Sequence, residues 1–217
     1  MNVAIAGGHG KIALLLAERL AARGDTAKGL IRNPEHEEDL RVIGASPVLA
    51  DLEQETAETI ARKIGGSDAV VFAAGAGPGS GVPRKWTVDF GGAAKLIAAC
   101  KFAEIERYVI VSSIGAGSPP ASGGDTFGEY LRAKAAADRA LEVSGLAWTI
   151  VRPGPLTDDA PTGKIAVGEA LDRGEITRAD VAEIVVAALY DDASIGAAFE
   201  AVGGETPVAE AIAALAG

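Results

Sequence analysis

A glycine-rich turn near the start of the chain constrains the fold more than any other feature. The apolar run Val3–Ala6 has the pattern of a buried parallel strand, and it ends at residues 7–10, Gly-Gly-His-Gly. Directly afterwards, Ile12, Leu16 and Leu20 recur at the four-residue spacing of an amphipathic helix. A strand, a glycine turn and a helix in this order predict a site for a phosphate group, because the first N–H groups of the helix point at the anion.

The spacing within this turn matches the dinucleotide-binding fingerprint. Gly7, Gly10 and Ala13 are three residues apart, with alanine where a third glycine often stands. Glycine permits the tight turn and lets the backbone approach a pyrophosphate. We therefore predict cofactor contacts from the turn and the start of the helix, namely Gly7, Gly8, His9, Gly10, Lys11 and Ile12. A glycine turn of this kind also occurs in α/β proteins that bind no dinucleotide.

Strands and helices alternate along the rest of the chain. The predicted strands after the first are Thr26–Ile31, Ser46–Ala50, Asp68–Ala74, Arg107–Ser112, Ala147–Val151, Lys164–Val167 and Ala198–Val202. The predicted helices after the first are Glu35–Val42, Gln54–Ile64, Trp86–Phe102, Phe127–Ser144, Arg178–Tyr190 and a terminal helix. This alternation predicts an α/β fold with a doubly wound parallel sheet and ligands at the carboxyl ends of its strands. We expect one domain over residues 1–217, with a dinucleotide-binding core in 1–152 and a small C-terminal subregion in 153–217.

Composition narrows the range of partners. Of the 217 residues, 48% are hydrophobic and only 5% are aromatic, which suits helices packed closely on a parallel sheet. The net charge of −10 argues against nucleic acid and against anionic membrane surfaces, since both repel an acidic protein. No basic leader precedes the first strand and no apolar stretch is long enough to span a bilayer, so we expect a cytoplasmic protein with a small-molecule substrate.

Cysteine and histidine usage argues against disulfide and metal chemistry. Cys100 is the only cysteine, and it lies in an apolar helical pattern, which predicts a buried and inert thiol. His9 and His36 have no histidine or cysteine nearby at ligand spacing, so no metal site is predicted. His9 is interpreted as a turn residue beside phosphate.

The ends of the second and third predicted strands carry polar side chains. Arg32 and Asn33 follow the second strand, where a nucleotide fold faces the adenosine ribose, and an arginine there suits a 2′-phosphate. This favours NADP(H) over NAD(H); the alternative is a solvated arginine that begins a loop. Asp51 and Leu52 close the third strand, where the carboxylate either bonds the adenine edge or caps a helix before Gln54.

The fourth predicted strand ends in small residues. Ala73, Ala74 and Gly75 close it, and glycines continue at positions 77, 79 and 81. Such residues let a flat cofactor lie across the strand end, although a flexible loop explains the glycines nearly as well.

The fifth predicted strand and the helix after it carry candidate catalytic groups. Ser112 and Ser113 end the strand, and Tyr130 and Lys134 lie four residues apart on the helix, hence on one face. A phenol ordinarily loses its proton near pH 10, and a neighbouring ammonium favours the phenolate form. At neutral pH, this pairing would make a tyrosine a better acid or base.

Taken in order, these motifs resemble an atypical member of the short-chain dehydrogenase/reductase superfamily, near its NmrA-like, NAD(P)H-binding branch. The similarity covers nearly the whole chain, from the Gly7 turn to Val151-Arg152-Pro153-Gly154. It implies an NAD(P)-binding Rossmann fold, with Tyr130 as acid/base and Lys134 as the group that assists it and binds ribose. It further implies that Ser112 or Ser113 orients a carbonyl and that Pro153 and Gly154 lie beside nicotinamide.

Three departures from the family pattern bear on activity. Ser113 lies further from the tyrosine than the family's serine does, whereas Ser118 has about the family spacing but lies in the loop 115–125. Asp89 stands where many relatives have an asparagine of the proton relay. The C-terminal subregion is short, which favours reduction of a small carbonyl, quinone or flavin-like compound over sugar-nucleotide epimerisation or dehydration. The alternative is a non-catalytic NADP(H) sensor that acts through a protein partner.

Overall fold

The computed structural model describes residues 1–77, 79–121, 125–172 and 174–216. Its strands are β1 Asn2–Ala6, β2 Thr26–Ile31, β3 Ser46–Leu49, β4 Ala69–Phe72, β5 Arg107–Val111, β6 Ala147–Pro153, β7 Leu156–Thr157, β8 Lys164–Gly168, β9 Ile176–Thr177, β10 Ala197–Gly203 and β11 Thr206–Pro207. Its helices are α1 Lys11–Ala22, α2 Glu37–Val42, α3 Ala57–Ile64, α4 Gly81–Arg84, α5 Gly91–Phe102, α6 Thr126–Glu142, α7 Arg178–Tyr190 and α8 Val208–Ala213.

Nine of the strands form one sheet in the order β11-β8-β10-β6-β5-β4-β1-β2-β3. From β3 to β10 all neighbours are parallel, while β8 pairs antiparallel with both β10 and β11 at one edge. The chain winds outward from β1 through β2 to β3, then returns to the other side of β1 with β4. The predicted doubly wound α/β fold is confirmed, and the switch in winding direction lies between β1 and β4, where such folds bind ligands.

Helices cover both faces of the sheet, and side chains alternate between them. Val3 and Ile5 of β1 join a core with α1 and α7, whereas Ala4 and Ala6 join a second core with α3, α5 and α6. Tyr108 is fully buried in this second core. Two buried layers of this kind explain why the central strands read as continuous apolar runs.

The predicted helix over Trp86–Phe102 is interrupted in the structure. The segment begins earlier, with α4, and then forms a wider π-helical turn over Lys85–Phe90 before α5. A Cβ atom at Gly91 would lie 3.2 Å from the Trp86 carbonyl oxygen, so glycine accommodates this turn. Turns of this type often occur at functional sites, and this one faces the carboxyl end of β4.

The predicted helix over Gln54–Ile64 begins later than expected. Asp51 Oδ1 accepts hydrogen bonds from the N–H groups of Glu53 and Gln54, at 2.8 and 3.3 Å, and so caps a separate turn. The helix begins at Ala57 instead, with the Thr56 side chain as its N-cap. Asp51 therefore caps the turn that contains Gln54, and not the helix α3.

The C-terminal part contains more strands than the sequence predicts. β7 and β9 pair with each other, and β11 extends the main sheet, each with only two residues. Alternation cannot be recognised in so few residues, which is why the sequence does not reveal them. Three of these C-terminal strands, β8, β10 and β11, belong to the main sheet and extend it at one edge. The single-domain assignment itself stays a prediction.

Candidate active site

A cleft of about 1070 Å³ lies at the carboxyl ends of the parallel strands, above the switch point between β1 and β4. It collects most of the side chains and turns that the sequence predicts to be functional. The predicted residues that line it are Gly7, Gly8, His9, Gly10, Ile12, Arg32, Asn33, Ala73, Ala74, Gly75, Ser112, Tyr130 and Lys134.

The turn after β1 forms a cradle that only glycine permits. Gly7 has φ +77°, and a Cβ atom there would lie 2.7 Å from the Ala74 Cα atom. A Cβ atom at Gly8 would lie 2.6 Å from the Gly29 Cα atom. Gly10 begins α1, and no side chain of the described residues caps the helix there, so its first N–H groups are available to an anion. This arrangement fits the pyrophosphate of a dinucleotide.

The predicted adenosine end contains a cluster of opposite charges. Arg32 Nη1 lies 3.1 Å from Glu53 Oε2, and Arg84 Nη2 lies 2.7 Å from the same oxygen. A hydrogen bond from Thr87, followed by that from Arg84, lowers the pKa of the Glu53 carboxyl. The ionised Glu53 thus holds two guanidinium groups together, while the Arg32 side chain remains 59% exposed. Asn33 accepts a hydrogen bond from the N–H of Glu35 and so shapes the loop.

Two histidines lie face to face beside the glycine turn. The rings of His9 and His36 are stacked with centroids 3.6 Å apart, and both line the cleft. His9 Nε2 lies 2.7 Å from Asp39 Oδ2, which fixes the ring orientation. The stack therefore links the turn after β1 to the segment after β2.

The other end of the cleft holds Tyr130 and Lys134. Lys134 Nζ donates a hydrogen bond to the Val111 carbonyl oxygen at 3.1 Å and lies 5.9 Å from the centre of the Tyr130 ring. Asp89 Oδ1 lies 3.6 Å from the same ammonium, and both side chains are almost fully buried. Oδ1 has no hydrogen-bond partner among the residues that the structure describes. The buried ammonium is thus held near the tyrosine by one carbonyl and one carboxylate.

The two candidate serines face different surroundings. Ser112 lines the cleft and is buried, whereas the Ser113 hydroxyl lies 3.4 Å from the Ile114 carbonyl oxygen, outside the lining. Behind Ser112, Arg152 Nε donates to Asp138 Oδ2 at 2.9 Å. Burial raises the pKa of the Asp138 carboxyl, and the Ser112 hydroxyl and then Arg152 oppose that rise. Of the two serines, only Ser112 lines the cleft.

Several other predicted residues lie outside the lining. Lys11 forms an ion pair with Asp158 at 2.5 Å, and Asp51 is committed to its own turn. Leu52 packs in the core beside Gly92. The remaining two, Pro153 and Gly154, form backbone hydrogen bonds at the end of β6 and beyond it. Contact between these five residues and a cofactor stays a prediction.

Sequence reasoning missed several residues that line the cleft. Among them are Lys85, Thr126, Phe127 and Leu156. Phe127 precedes Tyr130 by one helical turn, and its ring centre lies 5.9 Å from that of the tyrosine, so helical spacing could have indicated it. No sequence signal marks Lys85, because the π-helical turn determines where it points.

The remaining predictions concern chemistry outside the cleft. Burial raises the pKa of the Cys100 thiol to about 12, as expected for an inert core residue. Within the described ranges, no group of three His, Cys, Asp or Glu side chains is arranged to hold a metal ion. In those same ranges, every helix is too short or too polar to traverse a bilayer.

The buried Lys134–Asp89 pair gives a prediction about stability. We expect Lys134→Met to lower the free energy of unfolding by about 3–5 kcal/mol, because Asp89 is left buried without a counter-charge. Adding Asp89→Asn should recover part of this loss. Urea unfolding followed by circular dichroism measures both. The exposed pair Lys164–Glu205 provides the control, since Lys164→Met should cost less than about 1 kcal/mol. Equal losses in Lys134→Met and the double variant would contradict the pairing.

Comparison with known proteins agrees with the geometry of the cleft. The family model for NAD(P)H-binding domains matches residues 7–192. The uncharacterized sugar epimerase YhfK of Bacillus subtilis is 37% identical over 98% of this chain and 99% of its own. A solved Bacillus halodurans structure, assigned to the NAD-dependent epimerases/dehydratases, is also 37% identical, with a TM-score of 0.91 over 98% of both chains. The oxidoreductase ylbE of Lactococcus lactis is 28% identical, with a TM-score of 0.86 over 99% of this chain and 96% of its own. The chain therefore belongs to the NAD(P)H-binding family of Rossmann-fold proteins.

Proposed function

We propose that the protein is an NADPH-dependent reductase of a small carbonyl, quinone or flavin-like compound. The observation that carries this proposal is the position of Tyr130 and Lys134 in the same cleft as the glycine turn. A nucleotide held at that turn extends along the strand ends toward the tyrosine. The name of the Lactococcus lactis relative, an oxidoreductase, supports the same class of reaction.

The residues of the cleft divide into binding and chemical roles. Gly7, Gly8 and Gly10 with the start of α1 hold the pyrophosphate, while Arg32 binds the adenosine end. A reduced nicotinamide, when bound, supplies a hydride. The Tyr130 hydroxyl donates the proton that the reduced oxygen requires, and Lys134 favours the phenolate that remains.

Cofactor preference gives a test at Arg32. We expect wild-type protein to bind NADPH more tightly than NADH by about ten- to a hundred-fold, the range for one charge-assisted contact with the 2′-phosphate. Arg32→Ala should bring the two dissociation constants close together, whereas Arg41→Ala, an exposed arginine paired on α2, should leave the ratio unchanged. Calorimetric titration with both cofactors measures the ratio. Equal affinities of wild-type protein for NADPH and NADH would contradict the preference for NADPH. If Arg32→Ala keeps the wild-type affinity ratio, a residue other than Arg32 binds the 2′-phosphate.

Two other functions remain to be separated from reduction. The names of two relatives point to sugar epimerisation or dehydration. A non-catalytic NADP(H) sensor would use the same cleft for binding alone. The small size of the C-terminal part argues against a large sugar-nucleotide substrate. In this part, β7 pairs with β9, and Leu156 of β7 lines the cleft.

A substrate screen distinguishes the three functions. Aldehydes, ketones, quinones and flavins are tested for NADPH consumption, and UDP-glucose and similar sugar nucleotides are followed by NMR for epimerisation or dehydration. Reduction of one of the first group supports the reductase. Conversion of a sugar nucleotide without net NADPH consumption would contradict the reductase proposal and support an epimerase or a dehydratase. Tight NADPH binding without turnover, together with a protein partner that binds only one oxidation state of the complex, would favour the sensor.

A further inference from the structure

Lys85 is a buried cation that has no ionic partner among the residues that the structure describes. Its side chain lies in the π-helical turn, and its residue is only 9% exposed. The Nζ atom donates a hydrogen bond to the Gly77 carbonyl oxygen at 2.8 Å. No carboxylate of the described residues forms an ion pair with it, in contrast to Lys134, which has Asp89. An ammonium withdrawn from water in this way is costly unless a negative group approaches it.

The acidic side chains near Lys85 are committed elsewhere. Asp89, one turn further along, faces Lys134 and accepts a hydrogen bond from the N–H of Ala76. Glu129 on α6 pairs with Arg132, and Asp125 caps the same helix. The charge of Lys85 is therefore not neutralised by these neighbouring groups.

Lys85 lies at the substrate end of the cleft. Its Nζ is 5.4 Å from the centre of the Tyr130 ring, and both residues line the same space. An ammonium has three N–H donors, and Gly77 takes one, so two remain for a ligand. Lys85 is thus beside the position of proton transfer.

An aromatic side chain lies near this cation. Phe127 lines the cleft, and its ring centre is 5.9 Å from that of Tyr130, the ring beside the Lys85 ammonium. Phe127 is largely exposed, with 59% of its surface accessible. A ligand that fills this space would combine an apolar, preferably planar body with a negative group.

We propose that Lys85 binds a carboxylate of the substrate, which makes the preferred substrate a small carbonyl compound with an apolar body and a carboxylate. The reaction part of this inference rests on the proposed function, whereas the binding part does not. Lys85 acts as a specificity-determining residue: its N–H groups hold the carboxylate while the carbonyl faces the Tyr130 hydroxyl.

The catalytic test compares two probes that differ in charge and little in size, 4-formylbenzoate and 4-formylbenzamide. At saturating NADPH, kcat/KM in wild-type protein should favour the carboxylate by about ten- to a hundred-fold, as for one charge-assisted hydrogen bond. Lys85→Met should bring this ratio close to one. Lys101→Met, which removes an exposed lysine from α5, is the matched control and should keep the preference. Lys85→Gln serves as a second variant in case the methionine variant does not fold.

A binding measurement separates this inference from the proposed reaction. Benzoate and benzamide are titrated calorimetrically into protein saturated with NADP⁺, in wild type and in the Lys85 variants. If wild-type protein binds benzoate more tightly than benzamide and Lys85→Met loses this preference, the anion site is supported even when no aldehyde is turned over. In that case only the proposed reductase activity would be contradicted. Undetectable benzoate binding in wild type, equal affinity for the two probes, or a benzoate preference that persists in both variants would overturn the inference, whatever the turnover.

Discussion

Replacing Tyr130 by phenylalanine is expected to lower kcat for carbonyl reduction by about 10²–10⁴-fold, the range for loss of a general acid. The substitution removes only the hydroxyl, so the ring keeps its contact with Phe127 and the fold is retained. The dissociation constant for NADPH should stay within a few-fold of wild type. Rates of NADPH consumption on each substrate from the screen, together with calorimetric binding, measure the two effects separately.

One control variant distinguishes proton transfer from a general disturbance. Tyr190→Phe also removes a hydroxyl, one that bonds Asp25 on the surface far from the cleft lining, and it should leave kcat unchanged. Lys134→Ala should weaken both turnover and cofactor binding, since this lysine is proposed to act on the phenol and on the ribose. Turnover that survives in Tyr130→Phe would remove the tyrosine from the reaction.

Gly10→Val is expected to abolish measurable NADPH binding while the protein stays folded. The new side chain would stand at the start of α1, where the pyrophosphate approaches the backbone. Its Cβ atom would lie 3.1 Å from the Gly7 carbonyl oxygen, a close contact that a small shift relieves. We expect a loss of stability of about 1–3 kcal/mol from this crowding. Calorimetric titration with NADPH and thermal unfolding by circular dichroism measure the two quantities.

The structure shows why Gly10, and not Gly7 or Gly8, gives an interpretable variant. A side chain at Gly7 would be strained by its positive φ, and one at Gly8 would collide with the backbone of β2, so both changes would disturb the fold itself. Gly65→Val provides the control away from the cleft, because a Cβ atom there meets only ordinary contacts. It should keep full NADPH affinity. A folded Gly10→Val protein with normal affinity would show that the turn is structural alone.

The order of the elements and the phosphate cradle could be predicted from the sequence because both are local. Short, continuous runs of apolar residues identify β1, β2, β4, β5 and β6. The helical segments between these runs imply that neighbouring strands are parallel. In the same way, the glycines after β1 mark a turn that needs positive φ and close backbone approach. The spacing of Tyr130 and Lys134 fixes them on one helical face without any tertiary information.

Boundaries and short strands were less accessible to sequence reasoning. The helix expected from Gln54 begins at Ala57 because Thr56 caps it and Asp51 forms a turn of its own. β8 runs antiparallel to both of its neighbours, β10 and β11, a pairing that depends on the path of the chain after β6 and not on any local pattern.

The sequence by itself determined the strand–turn–helix unit, the winding of the sheet and the face of α6 that carries Tyr130. Only the tertiary structure decided which side chains share the cleft with it. β5 ends at Val111, so strand alternation does not assign directions to Ser112 and Ser113; the packing of helices on the sheet decides that Ser112, and not Ser113, lines the cleft. The π-helical turn directs Lys85 toward Tyr130 and Asp89 toward Lys134. These pairs are more than 40 residues apart in the sequence, so no helical or strand periodicity could predict them. Burial makes the placement of these charges decisive, because an ammonium or a carboxylate removed from water is costly without a polar partner nearby. The tertiary structure, and not the sequence alone, brings such partners together.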